Sequence, residues 1–175
     1  MTQPGLILRE LNAGDEAAFL EGWREWEGED LTWYAFDWKP GMPFAEYLER
    51  LRKNSLGIDL PEDHVASTML YGFVDGAIVG RVSIRHRLTE TLLQRGGHMG
   101  YAVAPRFRRQ GYAFEMARLA IPICRNLGLE RILVTCTDAN EPSWRIIERL
   151  GGTLENKAWC ELHNEVIRRY WIDLG

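Results

Sequence analysis

A basic turn that opens an apolar helix is the stretch of this sequence whose residues could do chemistry. Residues 98–128 read HMGYAVAPRFRRQGYAFEMARLAIPICRNLG, where a strand-like run ends at Pro105 and an apolar helix follows Gly111. The first turn of a helix leaves several backbone N–H groups unpaired at the positive end of its dipole, so one phosphate can accept from all of them. Gly111 would let that phosphate approach the main chain. The pattern therefore predicts a phosphate-binding site.

Composition limits the classes of protein that fit. The chain has 175 residues, a formal net charge of −4 and 46% hydrophobic residues, which predicts a single domain over residues 1–175. The negative balance argues against nucleic acid as a partner. The N-terminal residues lack a signal-peptide pattern and no run of 18 apolar residues predicts a membrane partner, so we expect a cytoplasmic protein.

The cysteines do not indicate metal binding or disulfides. Cys124, Cys136 and Cys160 lie inside apolar helix or strand patterns without C-x-x-C spacing. An odd number of cysteines in such a chain predicts buried free thiols. A nucleophilic Cys136 is the alternative, which the alternating pattern of its strand disfavours.

The elements around the basic turn are predicted from hydrophobic periodicity and turn residues. Strands are expected at residues 6–11, 65–74, 77–86, 98–104, 131–137, 153–162 and 166–174. Helices are expected from a cap at Asp15 to Trp26, and at residues 44–52, 111–127 and 138–151, with a short helical turn at 88–94. Pro122 should remove one hydrogen bond from its helix and kink it.

The strand at residues 77–86 belongs to a predicted hairpin. Asp75 and Gly76, which precede it, are a strong two-residue hairpin signal. Along the strand, Arg81, Ser83 and Arg85 alternate with apolar residues, so we expect it to be half-buried.

The basic turn resembles the coenzyme A pyrophosphate motif of the GCN5-related N-acetyltransferases, the GNAT family. Written V-x-P-x-x-R-x-x-G-x-A, the motif is filled by Val103, Pro105, Arg108, Gly111 and Ala113. A P-loop would need G-K-[ST] and a dinucleotide fold G-x-G-x-x-G, and neither is present. A basic surface turn that only caps a helix is the alternative. The order of strands and helices over residues 6–174 is similar to that of the family and disfavours this alternative.

The resemblance implies an α/β (α+β) protein with the acyl-CoA N-acyltransferase fold, a mixed central sheet of about seven strands flanked by about four helices. It also implies acetyl-CoA as co-substrate, no metal, and direct attack on the thioester by a primary amine of a small molecule or peptide. Whether the chain forms a homodimer stays open. The competing class is a non-catalytic module of the same fold that binds coenzyme A or an acyl-CoA.

The resemblance also assigns residues to the cofactor. Amides of residues 109–113 would bind the pyrophosphate with Arg108 adding charge, and main-chain groups of Tyr101 and Val103 would hold the pantetheine arm. Asn140 and Ser143 match the second cofactor-contacting region, N-x-x-S. The expected contacts are Tyr101, Val103, Arg108, Arg109, Gln110, Gly111, Tyr112, Ala113, Asn140 and Ser143. Strand packing is the alternative for Tyr101 and Val103, and helix capping for Asn140.

Proton handling is where the sequence departs from the family. Ile147 stands at the place of the Tyr that commonly protonates the leaving thiolate, so another group substitutes or the thiolate leaves unaided. Tyr170 is a candidate acid, with core packing as its alternative. His98 stands where many relatives carry a Glu that takes the amine proton, and imidazole titrates near neutral pH. A plain hydrogen bond to the backbone is the alternative for His98.

The segment at residues 21–38, which we call the acidic segment, borders the acceptor entrance in the family's fold. It contains six acids, six aromatic residues and one base. Such a composition would attract a cationic amine and hold it over ring faces. The predicted acceptor contacts are Trp33, Tyr34, Asp37 and Trp38. The alternative is aromatic core packing with a solvated acidic face, which helical spacing favours for Trp23 and Trp26.

Overall fold

The computed structural model describes residues 5–175, whose strands form two antiparallel sheets. The first sheet has the order β1-β2-β3-β4, with strands at Ile7–Arg9, Ser67–Val74, Ala77–Arg85 and Met99–Val103. The second has the order β5-β7-β6, with β5 at Arg131–Thr137, β6 at Thr153–Cys160 and β7 at Glu165–Asp173. The seven predicted strands are confirmed. The expected single sheet is divided in two, since no ladder joins β4 to β5 within these residues.

Five α-helices lie within residues 5–175. They are α1 Glu16–Arg24, α2 Phe44–Leu56, α3 Glu90–Gln94, α4 Tyr112–Asn126 and α5 Glu141–Arg149. Helix α4 is continuous through Pro122. The predicted capping of α1 by the Asp15 side chain is wrong, because that carboxylate instead accepts from Arg9 at 2.7 Å and from the N–H of Asn12.

The two faces of the first sheet carry different cores. Helix α4 packs on one face, where Met116 and Ala120 join aliphatic side chains such as Val82. Helices α1 and α2 pack on the other face in an aromatic cluster around Phe19. The Phe19 ring lies 5.1 Å from the ring of Tyr47.

The expectation of a half-buried β3 is wrong. Arg81 and Ser83 are only 1% and 5% exposed, although they lie on the face opposite to Val82. The reason is that α1, α2 and the segment between them cover the face that carries these polar side chains. The sheet therefore buries polar groups on the side of the aromatic cluster.

Candidate functional site

Strands β4 and β5 approach each other at one end only. The N–H of His98, just before β4, donates to the carbonyl of Leu133 on β5 at 2.7 Å. Gly97 permits this approach, because it has a φ of +61° and a Cβ there would lie 2.3 Å from the Leu133 oxygen. Beyond this point β4 pairs with β3 and β5 with β7 among the described strands. The two strands therefore form the walls of a cleft.

The main chain of β4 offers hydrogen-bonding groups to the cleft. The N–H of Ala104 donates to Val79 across the pairing with β3 at 2.9 Å. Backbone groups alternate in direction along an antiparallel strand, so those of Tyr101 and Val103 point away from β3. The Val103 carbonyl accepts from Nε of Arg108 at 3.1 Å, whereas its N–H faces the cleft.

His98 closes the joined end of the cleft. Its side chain is buried, and Nδ1 accepts from the N–H of Leu133 at 2.9 Å. That bond places the proton of a neutral ring on Nε2. Burial, together with the charge of Arg85, lowers the pKa of His98. These contacts favour the alternative interpretation of His98, a hydrogen bond to the backbone, because the Nδ1 lone pair that a base would use already accepts from Leu133.

The predicted phosphate-binding turn, residues 106–113, lies at the start of α4. Gly111 has a φ of +84° and Arg109 a φ of +62°, and the helix begins at Tyr112. Residues in this left-handed conformation can turn successive N–H groups toward one side, a geometry that binds anions. Residues 109–111 are exposed to solvent, and Tyr112 and Ala113 are half-buried. The turn is therefore accessible at the N-terminus of a 15-residue helix.

Arginines of this turn are paired with the acidic segment. The terminal nitrogens of Arg108 donate to both carboxylate oxygens of Glu29, at 3.0 and 3.1 Å. Arg106 pairs with Glu25 at 3.1 Å. The hydrogen bond from Arg108 lowers the pKa of Glu29. Two of the six acids that were expected to attract a cationic acceptor thus pair with Arg106 and Arg108 instead.

Helix α5 begins beside the cleft and brings hydroxyl groups to it. Oδ1 of Asn140 accepts from the N–H of Ser143 at 3.2 Å, so Asn140 caps the helix. The hydroxyl of Ser143 lies 3.0 Å from that of Tyr101. Burial raises the pKa of Tyr101 to about 12. Sequence reasoning missed this hydroxyl pair because it depends on where α5 packs, for which the sequence carries no local signal.

Two other reactive groups near α5 have ordinary packing roles. Burial raises the pKa of the Cys136 thiol, which disfavours the nucleophilic thiolate. Tyr170 on β7 is fully buried, and its hydroxyl donates to Glu148 at 3.0 Å and accepts from Arg168 at 3.3 Å. Burial also raises the pKa of Tyr170. The structure therefore favours core packing, the alternative interpretation of Tyr170. Ile147 is fully buried as well.

A cavity of about 650 Å³ opens on the face of the first sheet that α2 covers. Tyr47 of α2, Ser83 and Arg85 of β3, and Asp37 of the acidic segment line it. Asp37 is exposed at its edge. Of the predicted acceptor contacts, Asp37 is the one that lines this cavity.

The other three predicted acceptor contacts lie elsewhere. Tyr34 is fully buried and donates to the carbonyl of Phe19 at 2.8 Å. Trp38 is 7% exposed and its ring lies 4.6 Å from that of Trp23. Aromatic packing thus corrects the prediction for Tyr34 and Trp38. Trp33 is 47% exposed and lies over the guanidinium of Arg81 at 5.6 Å.

Metal and membrane features can be assessed over residues 5–175. In that range no group of three or more His, Cys, Asp or Glu side chains could hold a metal ion. Likewise, none of the helices described there is both long enough and apolar enough to cross a membrane. The three cysteines are free thiols, with Cys124 and Cys160 buried.

An acyl-CoA N-acyltransferase fold is defined by three features. These are the divided sheet, the accessible turn at the start of α4 and the cavity on the face of the first sheet that α2 covers. The family described as acetyltransferase (GNAT) domain matches residues 5–153, so the chain belongs to the GNAT acetyltransferase family. The resemblance carried by Val103, Arg108 and Gly111 is thereby confirmed.

Individual relatives are distant. The uncharacterized N-acetyltransferase YnaD of Bacillus subtilis (strain 168) is 26% identical over 84 residues, which cover 42% of this chain and 49% of YnaD. The match thus spans about half the length of that curated relative. A solved probable acetyltransferase has a TM-score of 0.68 at 19% identity, covering 98% of this chain and 94% of its own. RimL, a ribosomal L7/L12 alpha-N-protein acetyltransferase in complex with coenzyme A, has a TM-score of 0.67 at 17% identity, covering 99% and 96%. These solved structures show the fold.

Proposed function

We propose that the chain transfers an acetyl group from acetyl-CoA to a primary amine, by direct attack of the amine on the thioester. The observation that carries the proposal is the cleft between β4 and β5, with main-chain donors on one wall and, after β4, an exposed turn in which Arg109 and Gly111 have positive φ. A long ligand with amides along its arm and phosphates at one end fits such a cleft. RimL, which shares the fold, is complexed with coenzyme A.

The cofactor would be held mainly by main-chain groups. The pyrophosphate would accept from amides of residues 109–113 at the start of α4. The pantetheine amides would pair with the backbone of Tyr101 and Val103 as an added strand does. Asn140 and Ser143 would contact the cofactor from the start of α5, where Asn140 also caps the helix. Arg108 would supply charge beside the phosphates.

The reaction requires a nucleophile and a hydrogen-bond donor for the oxyanion. It also requires an acceptor for the amine proton and stabilisation of the leaving thiolate. The amine nitrogen forms a C–N bond with the thioester carbon while the C–S bond breaks. In this proposal the N–H of Val103 donates to the oxygen that becomes negative. The amine releases its proton to water, since Nδ1 of His98 already accepts from Leu133. His98 is thus a positioning residue at the joined end of the cleft.

The leaving thiolate needs a hydrogen-bond donor in the absence of the usual Tyr at Ile147. We assign this role to Ser143, supported by the hydroxyl of Tyr101 at 3.0 Å. A tyrosine with a pKa of about 12 stays protonated and cannot pass its proton fully to a thiolate whose thiol has a pKa near ~8.5. The pair therefore stabilises the thiolate by hydrogen bonding, and water supplies the proton.

The buried Ile147 is the observation that favours a second candidate, a module that binds coenzyme A without turnover. The two candidates differ in one measurable step. Free-thiol release from acetyl-CoA should require both the protein and a primary amine if the chain is an enzyme. Calorimetric titration with coenzyme A should show binding in either case. Binding without thiol release from any amine would select the module, and the absence of binding would overturn both.

A substitution at the turn tests where the cofactor lies. Gly111→Trp should abolish coenzyme A binding, because its side chain would occupy the approach to the amides of the turn. Gly128→Trp is the matched control, since Gly128 has a similar φ of +81° just beyond the other end of α4 and has open space around it. Equal binding by the two variants would show that the turn is not where coenzyme A binds.

A further inference from the structure

The floor of the cavity is formed by neighbouring strands and carries polar side chains beside Met69 of β2. Arg85 on β3 and Ser67 on β2 are directly opposite each other, and Ser83 is the next residue on the same face of β3. All three line the cavity. Within residues 5–175 neither serine hydroxyl forms a side-chain hydrogen bond, although Ser83 is only 5% exposed. The floor thus holds hydroxyl donors that the protein leaves unused.

Arg85 brings a charge to this floor that no described carboxylate neutralises. One terminal nitrogen, Nη1, donates to the carbonyls of Gly96 and Gly97 at 3.1 and 3.2 Å. Neither Nε nor Nη2 has a hydrogen bond within residues 5–175. Burial alone lowers the pKa of Arg85, and an arginine remains cationic under such conditions. A half-buried cation without a counter-charge is partly desolvated, so an anion bound there would be favoured.

A second guanidinium, that of Arg81, lies on the same face of β3. Arg81, two residues before Ser83, is 1% exposed and donates through Nε to the carbonyl of Trp33 at 2.5 Å. Its pKa is lowered to about 10, first by burial and also by the charge of Arg85. The two arginines therefore add their positive potentials on one face of β3.

The edge of the cavity has the opposite charge. Asp37, Asp63 and Glu90 line it and are exposed, and none forms an ion pair among the described residues. A doubly charged phosphate would meet one unpaired guanidinium on the floor and three carboxylates at the edge. A single carboxylate matches the free Nε and Nη2 edge of Arg85, which is the fork geometry that arginine uses for bidentate pairs.

The floor also lies close to the strand that would hold the thioester. Ser83 is the direct partner of Gly100 on β4, and the N–H of Arg85 donates to the carbonyl of His98 at 2.7 Å. Neighbouring strands are about 4.8 Å apart, so a group bound over Ser83 and Arg85 is one strand spacing from β4. That separation suits an amine and a carboxylate carried by one small molecule.

We infer that the amine acceptor also carries a carboxylate, which binds Arg85 with Ser67 and Ser83 while the amine faces β4. The acceptor is thus a free amino acid or an amino-acid derivative with a free carboxylate. This inference rests on the proposed acetyl transfer. It adds a carboxylate-binding subsite at Arg85, on the floor of a cavity whose edge is acidic.

Kinetics with paired acceptors test the inference. The probes are the common L-amino acids, each compared with its own carboxamide, with thiol release from acetyl-CoA as the readout. For the accepted side chains we expect the carboxylate form to have a kcat/KM higher by about tenfold or more. Arg85→Gln should remove this preference through KM. Arg50→Gln should keep it, because Arg50 also lines the cavity but is paired with Glu46 at 2.8 Å. Equal use of acids and carboxamides by the unaltered protein would overturn the inference.

A binding measurement separates this inference from the proposed function. Calorimetry with N-acetyl-L-amino acids, which resemble the product, does not depend on turnover. We expect Arg85→Gln to weaken that binding by about tenfold or more, and Ser67→Ala with Ser83→Ala to weaken it without removing the positive charge. If no amine is acetylated but these acids bind through Arg85, the proposed reaction fails and the carboxylate subsite stands. If Arg85→Gln stays folded by circular dichroism and binds them equally well, or if the unaltered protein binds none, the subsite is wrong.

Discussion

At the scale of single residues, His98 holds two sheets together with both its backbone and its ring. The backbone N–H and Nδ1 form two hydrogen bonds with Leu133, at 2.7 and 2.9 Å. Leu133 is fully buried, so its N–H has no access to water if the imidazole is removed. The residue for which the family resemblance implied a base therefore fixes the joined end of the cleft.

Removing this imidazole should cost stability in a pH-dependent way. His98→Ala leaves the Leu133 N–H without an acceptor, which should lower the free energy of unfolding by about 1–3 kcal/mol at neutral pH. Because the folded-state pKa of His98 lies below the ordinary 6.5, the unfolded chain binds the proton first as the pH falls. The stabilisation is thus complete above pH 6.5 and is lost below it.

Urea unfolding between about pH 7 and pH 5 measures this effect. The unaltered protein should lose more stability over that range than His98→Ala does. His163→Ala, in the exposed turn between β6 and β7, is the control and should behave as the unaltered protein. An identical pH dependence for all three proteins would show that His98 is not the linked group.

The hydroxyl pair at the cleft leads to a second prediction at the residue scale. Ser143→Ala removes the proposed donor to the thiolate, and Tyr101→Phe removes the hydroxyl that supports it. We expect kcat to fall by roughly tenfold or more for Ser143→Ala and by less for Tyr101→Phe, as for one hydrogen bond to a charged group. The Kd for coenzyme A should change less than kcat does, because Ser143 is one of several proposed cofactor contacts. An unaltered kcat in Ser143→Ala, measured under saturating acceptor, would mean that the thiolate leaves unaided.

At the scale of elements, two ion pairs join the acidic segment to the predicted phosphate-binding turn. Glu25 and Glu29 pair with Arg106 and Arg108, while Asp30 caps the short helical turn at Leu31–Trp33. In the proposed complex, a cofactor phosphate near Arg108 would compete with Glu29 for the same guanidinium. The segment that contributes Asp37 to the cavity thus also contacts the proposed cofactor site.

This competition predicts that Glu29→Gln tightens coenzyme A binding. The substitution removes a negative charge beside the phosphates and frees Arg108, which for an exposed pair should lower the Kd by about two- to fivefold. Glu27→Gln removes the same charge from the same segment, from a residue without an ion pair among those described, and is the control. Calorimetry at two salt concentrations checks the result, since screening should shrink the difference. Weaker binding by Glu29→Gln would show that the pair organises the turn instead of competing for it.

The elements were more predictable than their contacts. The hairpin at Asp75 and Gly76 has positive φ at both positions, as a type I′ hairpin turn requires, and this local rule is visible in the sequence. Burial of Arg81, by contrast, depends on which helices cover β3, and the buried state of Tyr34 depends on four aromatic rings from α1, the segment after it and β2. Such packing is set by tertiary structure, so the pattern around residues 21–38 indicated an acceptor surface where much of it is core.

At the scale of the whole molecule, the cleft and the cavity approach β4 from different sides. The aliphatic core lies under α4 on one face of the first sheet, and the aromatic core lies with the cavity on the other. Only the pair His98 and Leu133 joins the backbones of β4 and β5 within the described strands. A ligand in the cleft would therefore bridge the two sheets as well as bind one of them.

This architecture predicts that coenzyme A raises the melting temperature of the whole domain. A ligand at about 100 times its Kd stabilises the folded state by about 2.7 kcal/mol, which corresponds to a shift of roughly 5–11 °C for a chain of this size. Pantetheine at the same concentration lacks the pyrophosphate for the turn and should give a much smaller shift. Arg109→Glu, which reverses an exposed charge in the turn, should reduce the shift with coenzyme A but leave that with pantetheine unchanged. Scanning calorimetry measures these shifts. Equal shifts for coenzyme A and pantetheine would mean that the turn at the start of α4 does not bind the phosphates.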